Sequence, residues 1–329
     1  MKKIAITMGE PGGIGPEVSI RAAADPGVRS ACAPLIIGDR APLEEALKLL
    51  ELPFRLREIK DPLAIKDVPE AKKIDFMDMR ALRGKLTKGS PGADGGMASC
   101  EYIKKASELA SAREVDAICT APISKEALKA AGIEFPGHTE MLASFTGVSE
   151  YAMMLTGGPL RVLLVTTHTA IKNVPGLIRK KLVLKKIQLA MKAARMLGIK
   201  EPRIMVSGLN PHAGEGGLFG DEEIGEIAPA VREAQRLGIN ATGPYPPDAL
   251  FRKAYMGEAD IVVAMYHDQG LIPLKMIAFD KGVNITVGLP IIRTSPDHGT
   301  AYDIAWKGIA NPASMIEAVF TALRLKLQP

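Results

Sequence analysis

The sequence predicts an α/β protein: a mostly parallel sheet covered by helices on both faces. Three observations point there. Short aliphatic runs, most of them rich in Val or Ile, alternate with stretches of helical periodicity, which is the pattern of repeated strand–helix–strand units. Aromatic residues make up only 5% of the chain, so the core must be aliphatic, as in sheets buried on both faces. The 329 residues exceed what one hydrophobic core usually organises, so two domains are expected.

The expected strands are 4–7, 35–37, 117–119, 161–166, 203–206, 261–264 and 284–287. The first follows Met1-Lys2-Lys3 and briefly resembles a signal peptide, but its apolar stretch ends at Gly9-Glu10-Pro11, so it reads as a strand. It runs into Met8-Gly9-Glu10-Pro11-Gly12-Gly13-Ile14-Gly15-Pro16-Glu17. Pro16 suits the first turn of a helix, where a missing N–H costs nothing. Helical patterns follow at 97–112, 178–197 and 222–237, and a last one at 313–325 carries Ile316, Val319, Phe320 and Leu323 on one face. No repeat, low-complexity tract or linker separates them, so a domain boundary must be a crossover between elements.

Composition excludes several function classes. The net charge of +5 comes without a dense basic block. The tightest group, Arg179-Lys180-Lys181 with Lys185-Lys186, reads as the polar face of a helix, so nucleic-acid binding is not expected. A small anionic substrate explains the excess more simply. No stretch is long enough for a membrane span. Cys32, Cys100 and Cys119 form no paired motif, which fits a reducing cytoplasm and argues against a thiolate metal site.

All five histidines lie beside Gly, Pro, Thr or acidic residues, in segments that read as loops: His138, His168, His212, His267 and His298. His168, His212 and His267 each follow an aliphatic run, which would line them along one edge of a parallel sheet, where α/β folds keep their chemistry. Three imidazoles make a plausible facial set for a catalytic divalent ion; the competing reading is a set of unrelated structural histidines. Their spacings, 44 (212 − 168) and 55 (267 − 212) residues, are not diagnostic. Asp248 follows the stiff Gly243-Pro244-Tyr245-Pro246-Pro247 and reads either as a fixed carboxylate or as the N-cap of a helix over 249–254. Lys275, Asn284 and Arg293 fall near expected strand ends and together suit an anionic substrate. The Gly-rich turn after the first strand matches neither the phosphate-loop nor the dinucleotide fingerprint.

In order along the chain, residues 8–17, 137–140, 166–168, 208–217, 266–269 and 283–300 resemble the motifs of the 4-hydroxythreonine-4-phosphate dehydrogenase family, which serves pyridoxal phosphate biosynthesis. The likeness runs from residue 4 to about residue 325. A more distant likeness agrees with it: His298-Gly299-Thr300-Ala301-Tyr302-Asp303-Ile304-Ala305, with Lys307-Gly308-Ile309-Ala310-Asn311-Pro312, looks like the adenosine-binding loop of isopropylmalate and isocitrate dehydrogenases.

The resemblance implies two α/β/α domains around a central cleft, as in isocitrate and isopropylmalate dehydrogenases. Domain 1 would be built from 1–135 plus 275–329, and domain 2 from 136–274. It implies that His168, His212 and His267 bind one divalent metal (Zn, Co or Mg). His138, Thr139, Lys275, Asn284 and Arg293 would hold the substrate. Asp297, His298, Gly299, Thr300, Ala301 and Asp303 would lie against NAD or NADP. Asp248 and a metal-bound water are the candidates for the base, with Lys275 or His138 as a relay. A homodimer sharing its active site is also implied. The reaction would be oxidation of the C3 hydroxyl of 4-phosphohydroxy-L-threonine, then decarboxylation to 3-amino-2-oxopropyl phosphate.

The chain departs from the family at several positions. The usual first motif, M-G-D-P-A-G-I-G-P-E, has Glu10 for its Asp and Gly12 for its Ala. After His168, Thr169-Ala170-Ile171-Lys172-Asn173 replaces L-P-L-R-D, and Ala249 stands where Thr is usual. A sibling group acting on D-threonate or D-erythronate 4-phosphate resembles the chain about as well, including Gly217-Leu218-Phe219-Gly220 and Asp303-Ile304-Ala305-Trp306. A non-catalytic sensor of phosphorylated ligands is the alternative from another class.

Overall fold

Aliphatic runs become strands here because every residue can be buried between helices. In β1 (Lys2–Thr7) the last four residues are all buried, Ile4 and Ile6 each contributing about 1.5–3 kcal/mol. The computed structural model describes residues 1–65, 68–84 and 86–327. The chain divides into two compact units, Met1–Ser149 with Leu289–Arg324, and Glu150–Gly288 with Leu325–Pro329.

The first unit continues with α1 (Gly15–Ala24), α2 (Pro26–Ala31), β2 (Cys32–Gly38), α3 (Arg40–Leu49), β3 (Arg55–Glu58), β4 (Lys73–Asp78), α4 (Ala93–Ser111), β5 (Ala117–Thr120), α5 (Lys125–Ala130) and α6 (His138–Phe145). Pro16 sits at the start of α1 as its fixed φ predicts. β2 is longer than the expected 35–37 because it includes Pro34, which faces Ile4 of β1, while pairing with β4 begins only at Leu35. The missing N–H therefore breaks no ladder bond on the β4 side. The turn after β1 brings its backbone against β5. Glu10 N–H donates to the Pro122 carbonyl at 2.9 Å, and Gly9 holds φ +74 where a Cβ would run into that carbonyl.

The second unit holds β6 (Ala152–Gly157), β7 (Leu160–Leu164), α7 (Val174–Leu177), α8 (Lys180–Met196), β8 (Ile204–Ser207), a π-helical turn at Glu223–Ile227, α9 (Ala228–Arg236), β9 (Ala241–Tyr245), α10 (Pro247–Tyr255), β10 (Ile261–Ala264), α11 (His267–Ala278) and β11 (Val283–Val287). Its strand order is β11-β6-β7-β10-β8-β9. β6 runs antiparallel to both β11 and β7, and the other pairs are parallel. Leu155, Val162, Leu164, Val262, Leu271 and Leu274 form part of its apolar core.

The chain then returns to the first unit with β12 (Arg293–Pro296) and α12 (Ala313–Arg324). There the order is β3-β4-β2-β1-β5-β12, all parallel. The unit boundaries fall at Ser149/Glu150 and Gly288/Leu289, against expected switches at 135/136 and 274/275. β11 pairs with β6, which keeps it in the second unit together with Lys275 and Asn284. No helix among the described residues is long and apolar enough to cross a membrane.

Candidate functional site

In the first unit, β5 and β12 bring two distant side chains together. Arg293 opens β12 opposite Ile118 and is buried. Its Nη2 and Nε donate to the Thr120 hydroxyl at 2.7 and 3.2 Å. Burial lowers the guanidinium to about 10, opposed by nearby Cys119 and Glu140, so it stays charged at neutral pH. His138 lies close enough for that charge to act on it. Desolvation first, and Arg293 second, push the imidazole well below its usual range, against a backbone hydrogen bond at Ala121. It is therefore neutral in the physiological range, and its buried Nε2 has no hydrogen-bond partner among the described residues. A fixed cation beside an unused imidazole nitrogen suits an anionic, hydroxyl-bearing ligand. Thr139 follows in the first turn of α6.

The same unit fixes the loop expected to face a cofactor. Glu17, fully buried in the first turn of α1, accepts from Trp306 N–H at 2.7 Å and Gly308 N–H at 2.8 Å. Ile14 N–H donates to Thr300 O at 3.0 Å, and Asp297 N–H to Ser314 Oγ at 3.2 Å. Within the loop, His298 Nδ1 lies 3.1 Å from Gly299 O, Ala301 adopts a left-handed φ of 42°, and Asp303 is exposed. Beside it, burial raises the Glu10 carboxyl to about 7, while the backbone of Gly12, the Tyr302 hydroxyl and the backbone of Gly13 oppose the shift.

In the second unit, β7, β10 and β8 are adjacent and parallel, so the segments carrying His168, His267 and His212 leave the same sheet edge. The rings of His168 and His267 come together, with centres 5.7 Å apart and planes tilted by 44°. His267 Nδ1 lies 2.8 Å from Asp268 Oδ1. His212 instead packs near Phe219, at 6.1 Å between ring centres. Among the described residues no three His, Cys, Asp or Glu side chains stand close enough to hold a metal ion.

Several loop readings need correction. His138 and His267 open α6 and α11. α11 was unreadable because Gly270 and Pro273 interrupt it, yet Leu271 and Leu274 are buried and packing overrides the poor propensity. Lys275 therefore lies in the last turn of a helix, not at a strand end. Asn284 sits in β11, with a buried Oδ1 that has no partner among the described residues. α10 begins at Pro247, so the exposed Asp248 occupies its first turn rather than its cap, where a negative charge suits the helix dipole. His212 lies in no ordinary loop. His212, Ala213, Gly214, Glu215 and Gly216 all have left-handed φ, from 44° to 81°. Each of the three non-Gly residues pays roughly 1–2 kcal/mol for it.

Sequence reasoning missed Thr120, one residue past the expected strand end, and Gln269, two residues after His267. It also missed Glu17 and Glu223. No local signal marks the last, whose partners are 13 and 14 residues away.

The family model described as "Pyridoxal phosphate biosynthetic protein PdxA" matches residues 30–322. A 4-hydroxythreonine-4-phosphate dehydrogenase from Trichlorobacter lovleyi is 48% identical over 98% of this chain and 97% of its own length. A D-threonate 4-phosphate dehydrogenase from Cupriavidus necator is also 48% identical, over 96% of this chain and 95% of its own. The crystal structure of a 4-hydroxythreonine-4-phosphate dehydrogenase from Klebsiella pneumoniae superposes with a TM-score of 0.90 at 42% identity, covering 99% of this chain and 98% of that one. A β-decarboxylating dehydrogenase from Thermococcus kodakarensis, at 15% identity and a TM-score of 0.51, shares the fold.

Proposed function

The chain belongs to the PdxA family, and from that premise we propose that it oxidises the C3 hydroxyl of 4-phosphohydroxy-L-threonine with NAD(P) and decarboxylates the resulting β-keto acid to 3-amino-2-oxopropyl phosphate. The observation that carries this reading is the buried Arg293 on Thr120 beside the neutral, partnerless nitrogen of His138. Arg293 and Lys275 hold the substrate's negative groups, and Asn284 and Thr139 supply polar contacts. Remote binding of phosphate sets C3 in place for reaction. The neutral nitrogen of His138 can accept a hydrogen bond from the substrate hydroxyl and hold it in place; Asp248 and Lys275 are the groups suited to move its proton. The 297–303 loop receives the dinucleotide.

The neighbouring imidazoles of His168 and His267 would offer two nitrogen donors to a single divalent cation. A homodimer that shares its site brings the third donor, His212. Exposed Met276 and Phe279, at 83% and 77%, give the second unit an apolar surface for such an assembly. Imidazole ligation suits Zn2+ or Co2+ better than Mg2+. When bound, the cation supplies Lewis acidity to the reacting oxygen in both steps, and the dinucleotide takes up the two electrons. Three free thiols fit a cytoplasmic enzyme.

The sibling reading, a D-threonate or D-erythronate 4-phosphate dehydrogenase, draws on a relative of equal identity. Side-by-side turnover of 4-phosphohydroxy-L-threonine and D-threonate 4-phosphate, followed as NADH with and without Zn2+, Co2+ or Mg2+, separates the two. Preference for the threonate overturns the first substrate, and no NADH from either leaves a sensor.

A further inference from the structure

Glu223 opens the π-helical turn before α9 and is buried. Its Oε1 accepts from the N–H groups of Leu209 at 2.7 Å and Asn210 at 2.8 Å, and its Oε2 accepts from Asn210 Nδ2 at 2.9 Å. Glu222 Oε2 takes the same amide at 2.7 Å. These contacts lie at the root of the left-handed run that starts at His212. The run also touches Glu223 further along. Gly214, at φ +81, has its backbone so near that a Cβ would lie 2.7 Å from Glu223 Oε2. On the other side, Gln269 Nε2 donates to Gly208 O at 2.8 Å while its Oε1 accepts from Met265 N–H at 2.6 Å. The base of the turn is thus tied to the start of α11, which carries His267.

A buried carboxylate is costly unless its oxygens are hydrogen-bonded. Here it takes the amides of two adjacent residues, Leu209 and Asn210, so what it secures is the path of one short segment. The run that follows it, 212–216, is in a conformation L-residues avoid, and such strain persists only where surrounding groups over-determine it. π-turns of this kind recur at functional sites.

We propose that Glu223 is a positioning residue for His212: it clamps Leu209 and Asn210 so that the left-handed turn presents the imidazole to a divalent cation. This rests on the reading of His212 as a ligand. A carboxylate is required because an amide in its place turns one acceptor into a donor facing Asn210 Nδ2. Fixing a ligand through its outer partners is how proteins tune metal affinity.

The test uses the full-length protein stripped by chelator, with Zn2+ titrated against a competing chelator, in the parent, E223Q, H212A and the double variant. Amide exchange of 208–217 is followed in parallel. Glu223→Gln is expected to weaken Zn2+ by roughly 10–100-fold, to speed exchange at Leu209 and Asn210, and to cause no further loss of affinity in the H212A background. Equal losses in both backgrounds overturn the proposal, because a general loss of stability would act regardless of His212. If H212A binds Zn2+ as tightly as the parent, the ligand reading of His212 fails. Exchange in E223Q then judges the clamp separately, and unchanged exchange overturns that too. Should E223Q not fold, E223D, which keeps the charge but shortens the reach, carries the same comparison.

Discussion

Arg293 reaches the Thr120 hydroxyl from two nitrogens, Nη2 at 2.7 Å and Nε at 3.2 Å, across 173 residues of sequence. The guanidinium is held in a fixed orientation while only 1% of the residue's surface meets solvent. A charge kept this dry and this rigid is suited to an anion that arrives desolvated.

Replacing Arg293 with Ala is expected to raise the KM for the phosphorylated substrate by roughly 100-fold, the scale of losing one side of a buried charge pair. The KM for the dinucleotide should change little. Steady-state kinetics with each substrate varied in turn measure both, and parallel increases would count against an anion-holding role.

Zinc retained after dialysis should fall sharply in H168A and in H267A, by more than the roughly 10–100-fold typical of losing an outer partner. His298, in the other unit, serves as the control, and H298A should keep its zinc. Metal analysis by mass spectrometry reads all three. Full retention in either of the first two variants would remove that imidazole from the ligand set.

Glu10 makes stability depend on pH in an unusual direction. Its carboxyl titrates at about 7 in the folded chain against 4.5 when unfolded. Between those values the native state holds the extra proton, so stability falls as pH rises from 4.5 to 7 and the cost is fully present above that range. The total is about 3 kcal/mol. In E10Q this contribution disappears, and the variant should melt higher than the parent at pH 8 but not at pH 4.5. Identical pH profiles of the melting temperature would show that the carboxyl is not held this way.

Gly9→Ala should destabilise the protein by about 2 kcal/mol or more, because the left-handed φ of +74 and the Pro122 carbonyl both resist a Cβ. Gly176, in α7 with open space around it, is the matched control. Urea unfolding of both variants decides, and a G9A midpoint equal to that of G176A contradicts the expectation.

Strands were the most legible part of the chain. β1, β5 and β10 are runs of buried aliphatics with polar or Gly-rich ends, so composition alone marks them. β12 was not legible, since Arg-Thr-Ser-Pro has no apolar run; it is a strand because β5 pairs with it. That the segments carrying His168, His212 and His267 leave one sheet edge followed from reading strands that each lead into a histidine. The left-handed turn did not, because Ala and Glu carry no preference for that region. The same limit hid Glu223, whose role depends on distant amides. The meeting of His138 with Arg293 was suggested by motif likeness, but periodicity has no means of bringing together residues 155 positions apart (293 − 138).

The order of synthesis has a consequence for the first unit. A ribosome releases β5 long before it makes β12, with the whole of 150–288 in between. Until then the nascent sheet ends at β5, whose Ile118 amide later bonds to Ile292 O and has no such acceptor yet. An open apolar edge of this kind invites association with other chains. Polypeptides truncated anywhere before Arg293 would therefore be both inactive and prone to aggregate, so the arginine that acts on His138 also arrives with the strand that closes off this hazard.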